Sequence, residues 1–242
     1  MNVEATQELA KAAERAGIRT FLYTSTICVY GSPKRWNVSE DCPLISIKPG
    51  AQNNYLTNRM LREYARTKLL GEYAIKEYVK NVFYVIIRPC SIVSDHDILG
   101  VLECDIFTRI WRGYRVTHHV YVDDVVAAMI YLVELNYQNN SVSQQKFEVY
   151  QISNDDDPEN YFHVMFSKAH KKMRNVKYWL PFYAPSILDS VKDIIKYHNM
   201  EAKYSLGMIK YLPGRLYATG FRYPTGISSG HNKIIDKMDK YT

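Results

Sequence analysis

Hydrophobic positions along the chain change period several times, and each change marks an element. Over residues 2–16, NVEATQELAKAAERA, Val3, Leu9, Ala10, Ala13 and Ala16 fall at helical spacings. Gly17 supplies the left-handed stop. IRTFLYTS follows, short and rich in β-formers, with the pattern of a buried strand. Residues 32–56 are dense in Pro, Asn, Ser and charge and read as loop. From about Thr57 to Tyr78, Leu61, Ala65, Leu69 and Tyr73 recur every four residues, which predicts a helix. NVFYVIIRP carries a continuous apolar core, as a parallel strand buried on both faces does, and Pro89 ends it. HHVYVDDVVAAMIYLVEL is a short strand feeding a helix, with Asp123 or Asp124 placed to cap it. KFEVYQIS is another strand. NDDDPEN is a turn before a helix from about Tyr161, and APSILDSVKDIIKYH is a further helix. Helix and strand alternate, which predicts an α/β fold with a doubly wound parallel sheet. A mostly helical region follows it.

Composition leaves this picture intact. Apolar residues make up 47% and charged residues 23% of the 242, ordinary for a globular chain with a sizeable core. No run of 18 apolar residues occurs, so no transmembrane helix is expected. The polar, helical start lacks a secretory pattern. Cys28, Cys42, Cys90 and Cys104 show neither a disulfide framework nor metal-ligand spacing, as expected in a reducing compartment, and the expected location is cytoplasmic. The seven His form no HExxH, and no metal site is expected. Charge is uneven: residues 168–242 hold 14 Lys and Arg against 5 Asp and Glu. A basic third suits an anionic small-molecule substrate or a solvated surface. No nucleic-acid motif accompanies it, so no nucleic-acid partner is expected. The aromatic run YWLPFYAPSIL at 178–188 fits a packed helix after a Pro-bounded turn, an apolar substrate mouth or a membrane-surface contact.

Candidate chemistry enters with TSTICVYGSPK, residues 24–34. Thr24, Ser25 and Thr26 follow an apolar strand, and ligands gather at strand ends in parallel α/β sheets. Tyr64 and Lys68 stand four apart on the predicted helix and therefore share a face beside the apolar stripe. An ammonium beside a phenol favours phenolate, which makes Tyr a useful acid or base. With 21 Tyr the spacing alone is weak, and Tyr30 and Lys34 match it too. Gly31 and Pro33 deny that second pair a helix. No Gly-x-Ser-x-Gly elbow supports a hydrolase.

Five stretches, in order, resemble one family. They are NVEATQELAKAAERAGIRTFLYTSTICVYG, YARTKLLGE, VIIRPCSIVS, HHVYVDDVVAAMIYLVE and, more weakly, TGFRYPTGISSG. The chain resembles the extended short-chain dehydrogenases/reductases, the NAD-dependent epimerase/dehydratase and 3β-hydroxysteroid dehydrogenase group. The resemblance implies NAD or NADP as cofactor and hydride transfer at a secondary alcohol or ketone, on a nucleotide-sugar or sterol-like substrate. It implies Tyr64 as the acid/base, Thr26 as the hydroxyl that orients the substrate oxygen, and Lys68 as the group that lowers the Tyr64 pKa and binds the nicotinamide ribose. Pro89 and Cys90 would lie near the nicotinamide through backbone contacts. Residues 1–155 become the C-terminal part of a Rossmann-like domain with substrate-loop insertions at 32–56 and 90–118. Residues 156–242 become the substrate-binding region. Ala5 and Ser94 stand where the family usually has Gly.

The family pattern opens with a strand, a Gly-x-x-Gly-x-x-Gly turn and a helix that together cradle the pyrophosphate. That motif does not occur here. The expectation is a partial Rossmann-type sheet with weakened NAD(P) binding. The 20–24 strand would then form an exposed edge able to pair with a second copy or a partner chain. Two functional classes stay open: an oxidoreductase or epimerase, either active or inactive as it stands for want of the pyrophosphate-binding loop, and a non-catalytic truncated product or binding subunit completed by another chain.

Overall fold

The computed structural model describes residues 2–31, 33, 37–48, 59–78, 81–94, 118–138, 147–154 and 209–225. The helices expected from Tyr161 and over 184–198 lie outside them. So do the run at 178–188, Lys34, Cys104 and most of the expected 90–118 insertion and 156–242 region.

Helix α1 spans Asn2–Ala16. Its buried face is Thr6, Ala10 and Ala13, a helical i, i+4, i+7 stripe, whereas Leu9 is 59% exposed. Gly17 ends it at φ 62°, as its position predicted. Strand β1 (Thr20–Thr24) leads into a 3₁₀ turn at Ile27–Tyr30. After β2 (Asn37–Val38), helix α2 runs Arg59–Tyr78, close to the span its apolar stripe predicts. Strands β3 (Phe83–Pro89), β4 (Ser91–Val93) and β5 (His119–Tyr121) follow, then α3 (Val122–Gln138) and β6 (Phe147–Ile152). Strand β7 (Lys210–Tyr211) and helix α4 (Gly214–Ala218) complete the described elements.

The main sheet has the order β1-β3-β6, all parallel, with Leu22 beside Val85, Ile86 beside Val149 and Arg88 beside Gln151. Alternate residues serve opposite faces. Phe21, Tyr23 and Tyr84 pack with Ala10 and Ala13 of α1 and Ile75 of α2. Leu22, Val85 and Ile87 join the cluster that holds Val125, Ala128 and Leu132 of α3. Helices therefore cover both faces, the doubly wound arrangement that the alternating pattern predicts. Strand β3 is buried from Tyr84 to Pro89, in keeping with its continuous apolar run. Strand β1 is half-buried throughout, because among the described residues it forms one edge of this sheet.

Two local expectations change. The HHVY strand does not enter the main sheet; it pairs with β4, placing His119 beside Ser91. Helix α3 starts at Val122, directly from β5, so Asp123 and Asp124 lie inside its first turn instead of preceding it. The Asp124 carboxylate accepts the Thr225 amide at 2.8 Å and ties the 221–225 stretch to α3.

The approach of α2 to β1 sets the site. The Tyr23 hydroxyl would stand 2.4 Å from a Cβ at position 71, so Gly71 is what lets the helix settle this close to the strand. Leu69, fully buried one turn after Ala65, joins the core cluster that holds Ile27 and Val29 of the turn after β1. Leu69→Ala should lower the unfolding free energy by about 2–5 kcal/mol. Leu9→Ala, on the exposed side of α1, should change it by less than about 0.5 kcal/mol. Urea denaturation of both variants checks the contrast.

Candidate active site

In the parallel sheet the ends of β1, β3 and β6 come out along one edge, at Thr24, Pro89 and Ile152. Beyond Thr24 the chain turns. The Ser25 amide donates to Ile87 O at 2.7 Å, so the turn leaves β1 still attached to β3. Thr26 is extended (φ −162°, ψ 153°), and its Oγ1 accepts the Cys28 amide at 3.2 Å. That bond caps the 3₁₀ turn, as a Thr at an N-cap does.

The structure brings the Thr26 side chain near enough to the Tyr64 phenol to lower its pKa against burial. Tyr64 sits on α2 with 41% of its surface exposed, so one side of the pair opens to solvent. Lys68, one turn on, donates from Nζ to Thr24 O at 3.0 Å. Its ammonium lies 5.3 Å from the Tyr23 ring centre and 6.0 Å from that of Tyr64. Thr26, Tyr64 and Lys68 therefore meet at one strand end.

Electrostatics refine their roles. Burial raises the Tyr64 pKa, nearby Cys28 adds to the rise, and the Thr26 hydrogen bond opposes it. Burial lowers the Lys68 pKa. With its ammonium committed to Thr24 O, Lys68 leaves burial to dominate, and Tyr64 rests as neutral phenol. Pro89 and Cys90 are buried at the end of β3. The Cys90 amide already donates to Ile152 O at 3.0 Å, and Pro89 has no amide hydrogen. A ligand there meets carbonyl oxygens and carbon surface, with no backbone donor from these two residues.

Beneath this pair lies a polar network that the sequence reading did not single out. Glu72 and Arg88 form a fully buried ion pair, with Arg88 Nε 3.0 Å from Glu72 Oε1 and Nη2 2.6 Å from Oε2. Ser25 Oγ donates to the same Oε1 at 2.5 Å. Arg88 Nη1 donates to the Tyr30 hydroxyl at 2.8 Å, and Gln151 Nε2 donates to it at 3.0 Å. The Gln151 amide donates to Glu40 Oε1 at 3.0 Å. Burial disfavours the Arg88 charge, but the Glu72 hydrogen bonds and charge outweigh it, and the Arg88 pKa is raised. Burial pushes Tyr30 up to about 12 despite Arg88. Tyr30 thus has a structural place, separate from the Tyr64 helix. Two signals point to the network. Glu72 follows Lys68 by four residues on the helix, and Arg88 is a charge inside an apolar strand, where an unpaired ion is costly.

Two stability measurements check the network. Glu72→Ala should cost about 3–5 kcal/mol, since it strands a buried guanidinium, whereas replacing both partners with Met should cost clearly less. Tyr30 raises its folded-state pKa above the ordinary 10.0, so the stability it contributes is present below pH 10 and lost as pH rises toward about 12. Tyr30→Phe should flatten that part of the alkaline unfolding curve.

A sequence model of the NAD dependent epimerase/dehydratase family matches residues 1–152. UDP-glucose 4-epimerase of Azospirillum brasilense is 38% identical over 55 residues, 23% of this chain and 16% of that protein. UDP-glucose 4-epimerase of Mycolicibacterium smegmatis is 28% identical over 149 residues, 54% of this chain and 42% of that protein. The chain thus spans less than half the length of these curated relatives. Among solved structures, the Bordetella bronchiseptica enzyme WbmG in complex with NAD superposes with a TM-score of 0.59 at 16% identity, covering 99% of this chain and 65% of that one. Human epimerase family protein SDR39U1 with NADPH gives 0.59 at 17% identity, covering 97% and 72%. At these identities the likeness is one of fold, and it is the Rossmann-like α/β fold of the sheet described above.

Proposed function

The chain belongs to the NAD dependent epimerase/dehydratase family, and from that premise we propose that it carries the proton-transfer half of an NAD(P)-dependent oxidoreductase or epimerase acting on a secondary alcohol or ketone of a nucleotide-linked sugar. The observation that supports this most directly is the placing of Tyr64 and Lys68 on one helix at the end of β1, where Lys68 Nζ donates to Thr24 O at 3.0 Å and the Thr26 side chain acts on the Tyr64 phenol, at the C-terminal edge of a parallel sheet. The curated relatives carry the name UDP-glucose 4-epimerase, which favours a sugar linked to a nucleoside diphosphate over a sterol. The basic balance of residues 168–242 agrees with an anionic substrate of that kind.

The residues fit the nicotinamide end of the cofactor. Lys68 offers an ammonium and Tyr64 a phenol on one half-exposed face, a donor set suited to ribose hydroxyls. The end of β3 at Pro89 and Cys90 offers carbon surface and carbonyls against which an aromatic amide ring can lie. When bound, NAD(P) supplies the acceptor or donor of hydride. The chain's own residues handle the oxygen and its proton. Thr26 donates a hydrogen bond that fixes the reacting oxygen beside Tyr64. Tyr64, kept neutral by burial, donates its proton to a carbonyl oxygen as that carbon is reduced. In the reverse direction Tyr64 must accept a proton. A Lys68 ammonium released from Thr24 O toward the phenol then stabilises the phenolate.

Tyr64→Phe keeps the ring and removes the proton. It should lower turnover with NAD and UDP-glucose or UDP-galactose by about 100- to 10,000-fold, with the thermal midpoint near that of the unsubstituted protein. Equal turnover in the two proteins would remove Tyr64 from the mechanism.

A second reading draws on the edge position of β1. Its five half-buried residues suit pairing with a strand from another copy or another chain. In that reading the chain acts as a binding subunit. Light scattering that reports a monomer at all concentrations, together with turnover by the chain alone, would set it aside.

A further inference from the structure

Thr26 owes its place to a short stretch of backbone, and that stretch is gripped at both ends by one ion pair. At the entry, Ser25 Oγ donates to Glu72 Oε1 at 2.5 Å. At the exit, Tyr30, the last residue of the 3₁₀ turn, accepts from Arg88 Nη1 at 2.8 Å, and the Arg88 guanidinium lies 5.0 Å from the Tyr30 ring centre. Glu72 and Arg88 hold each other through two hydrogen bonds. They come from different elements. Glu72 sits on α2 two turns beyond Tyr64, about 12 Å along the axis, and Arg88 is the residue before Pro89 on β3. The pair therefore joins the helix of Tyr64, the strand that ends at Pro89 and the turn of Thr26.

We propose that the buried Glu72–Arg88 pair is the positioning device of the site: it clamps Ser25 and Tyr30, the two flanks of the Thr26 turn, and so sets the Thr26 hydroxyl against Tyr64. The proposal rests on the reading of Thr26 and Tyr64 as the reacting pair. A buried ion pair is a weak source of net stability, since well-packed apolar residues of the same volume do as well or better. An apolar pair, however, has nothing to offer a serine hydroxyl and a tyrosine hydroxyl at the same time. Glu72 Oε1 takes both Ser25 and Arg88 Nε, and Arg88 uses three of its nitrogens, so the fork geometry of the pair is fully employed in fixing the turn. Ser25 is further held through its amide on Ile87 O, which limits its freedom to the direction of its side chain and of the residue after it.

Ser25→Ala and Tyr30→Phe each remove one clamp and leave Glu72 and Arg88 paired, so neither strands a buried charge. The first measurement is the ionisation of Tyr64 in the full chain, followed by NMR with ring-labelled tyrosine and assigned with Tyr64→Phe. The Thr26 side chain acts to lower the Tyr64 pKa against burial, so its distance from the phenol sets the titration. Loosening the turn should therefore move the Tyr64 titration upward in both variants. The second measurement is turnover with NAD and UDP-galactose: kcat should fall about tenfold, as expected for one lost hydrogen bond to the reacting groups, with KM unchanged. A Tyr64 titration identical to that of the unsubstituted protein in both variants overturns the proposal, whatever happens to thermal stability. A shifted titration in a chain that shows no turnover leaves the positioning role standing and overturns the proposed reaction instead. Should Ser25→Ala fail to fold, Tyr30→Phe carries the same two readouts alone.

Discussion

A guanidinium inside the buried run of a parallel strand has few options. Arg88 is flanked by Ile87 and Pro89 and faces Gln151 across the ladder, out of reach of water. Leaving it unpaired would cost more than most single interactions in the fold contribute. Glu72 meets that demand, and its position on α2 then ceases to be adjustable. The rotation of α2 about its axis follows, because Glu72 must face β3. Once it does, Lys68 and Tyr64, four and eight residues earlier, face the strand end as well. The site geometry is in this sense a consequence of one buried charge and of helical periodicity.

The close seat of α2 on β1 depends on the same fixing. Gly71 stands next to Glu72 and gives up its side chain to the Tyr23 ring, while Tyr23 OH donates to Lys68 O at 3.4 Å. Strand, helix and turn are thus linked at Tyr23, Ser25 and Tyr30 within eight residues of sequence. A second, separate set of bonds places α1. Glu14 accepts the amides of Asn81 and Val82 and the Tyr84 hydroxyl, joining the end of α1 to the start of β3. Burial and this carboxylate together keep Tyr84 neutral well above the ordinary phenol range. One end of the sheet is fastened by Glu14 and the other by Glu72, and the candidate site lies at the second.

The parts legible in the sequence are those set by periodicity. The stripe of α2, the apolar run of β3 and the Gly17 stop each express a local rule, and each element lies close to where the rule puts it. Tyr64 and Lys68 share a face because spacing on a helix fixes direction, but that spacing is weak alone among 21 Tyr, and only the family resemblance marked the pair out. What escaped was set by distance in the chain. Ser25 and Glu72 lie 47 residues apart, and Tyr30 and Gln151 lie 121 apart, so no local pattern announces either bond. The pairing of β5 with β4 escaped for the same reason: an apolar strand such as HVY satisfies the burial rule in any sheet that will take it. Asp124 looked like a cap because acids before helices usually are caps. Its carboxylate instead serves the Thr225 amide, 101 residues away.

Electrostatics decide which proton state the arrangement favours at rest. Two opposing influences act on Tyr64: partial burial, which favours the neutral phenol, and the Lys68 ammonium, which would favour phenolate. At 6.0 Å from the ring centre and engaged with Thr24 O, the ammonium is too distant and too well satisfied to overcome burial. At rest Tyr64 is therefore the neutral phenol. Burial acts on Lys68 in the opposite sense and weakens its hold on charge, so a shift of Lys68 toward the phenol would relieve both groups together. The Thr24 carbonyl that holds Lys68 in place belongs to the residue before Ser25. The same short stretch, bonded to Glu72 and Arg88 at Ser25 and Tyr30, thus holds both the Thr26 side chain and the Lys68 ammonium beside Tyr64.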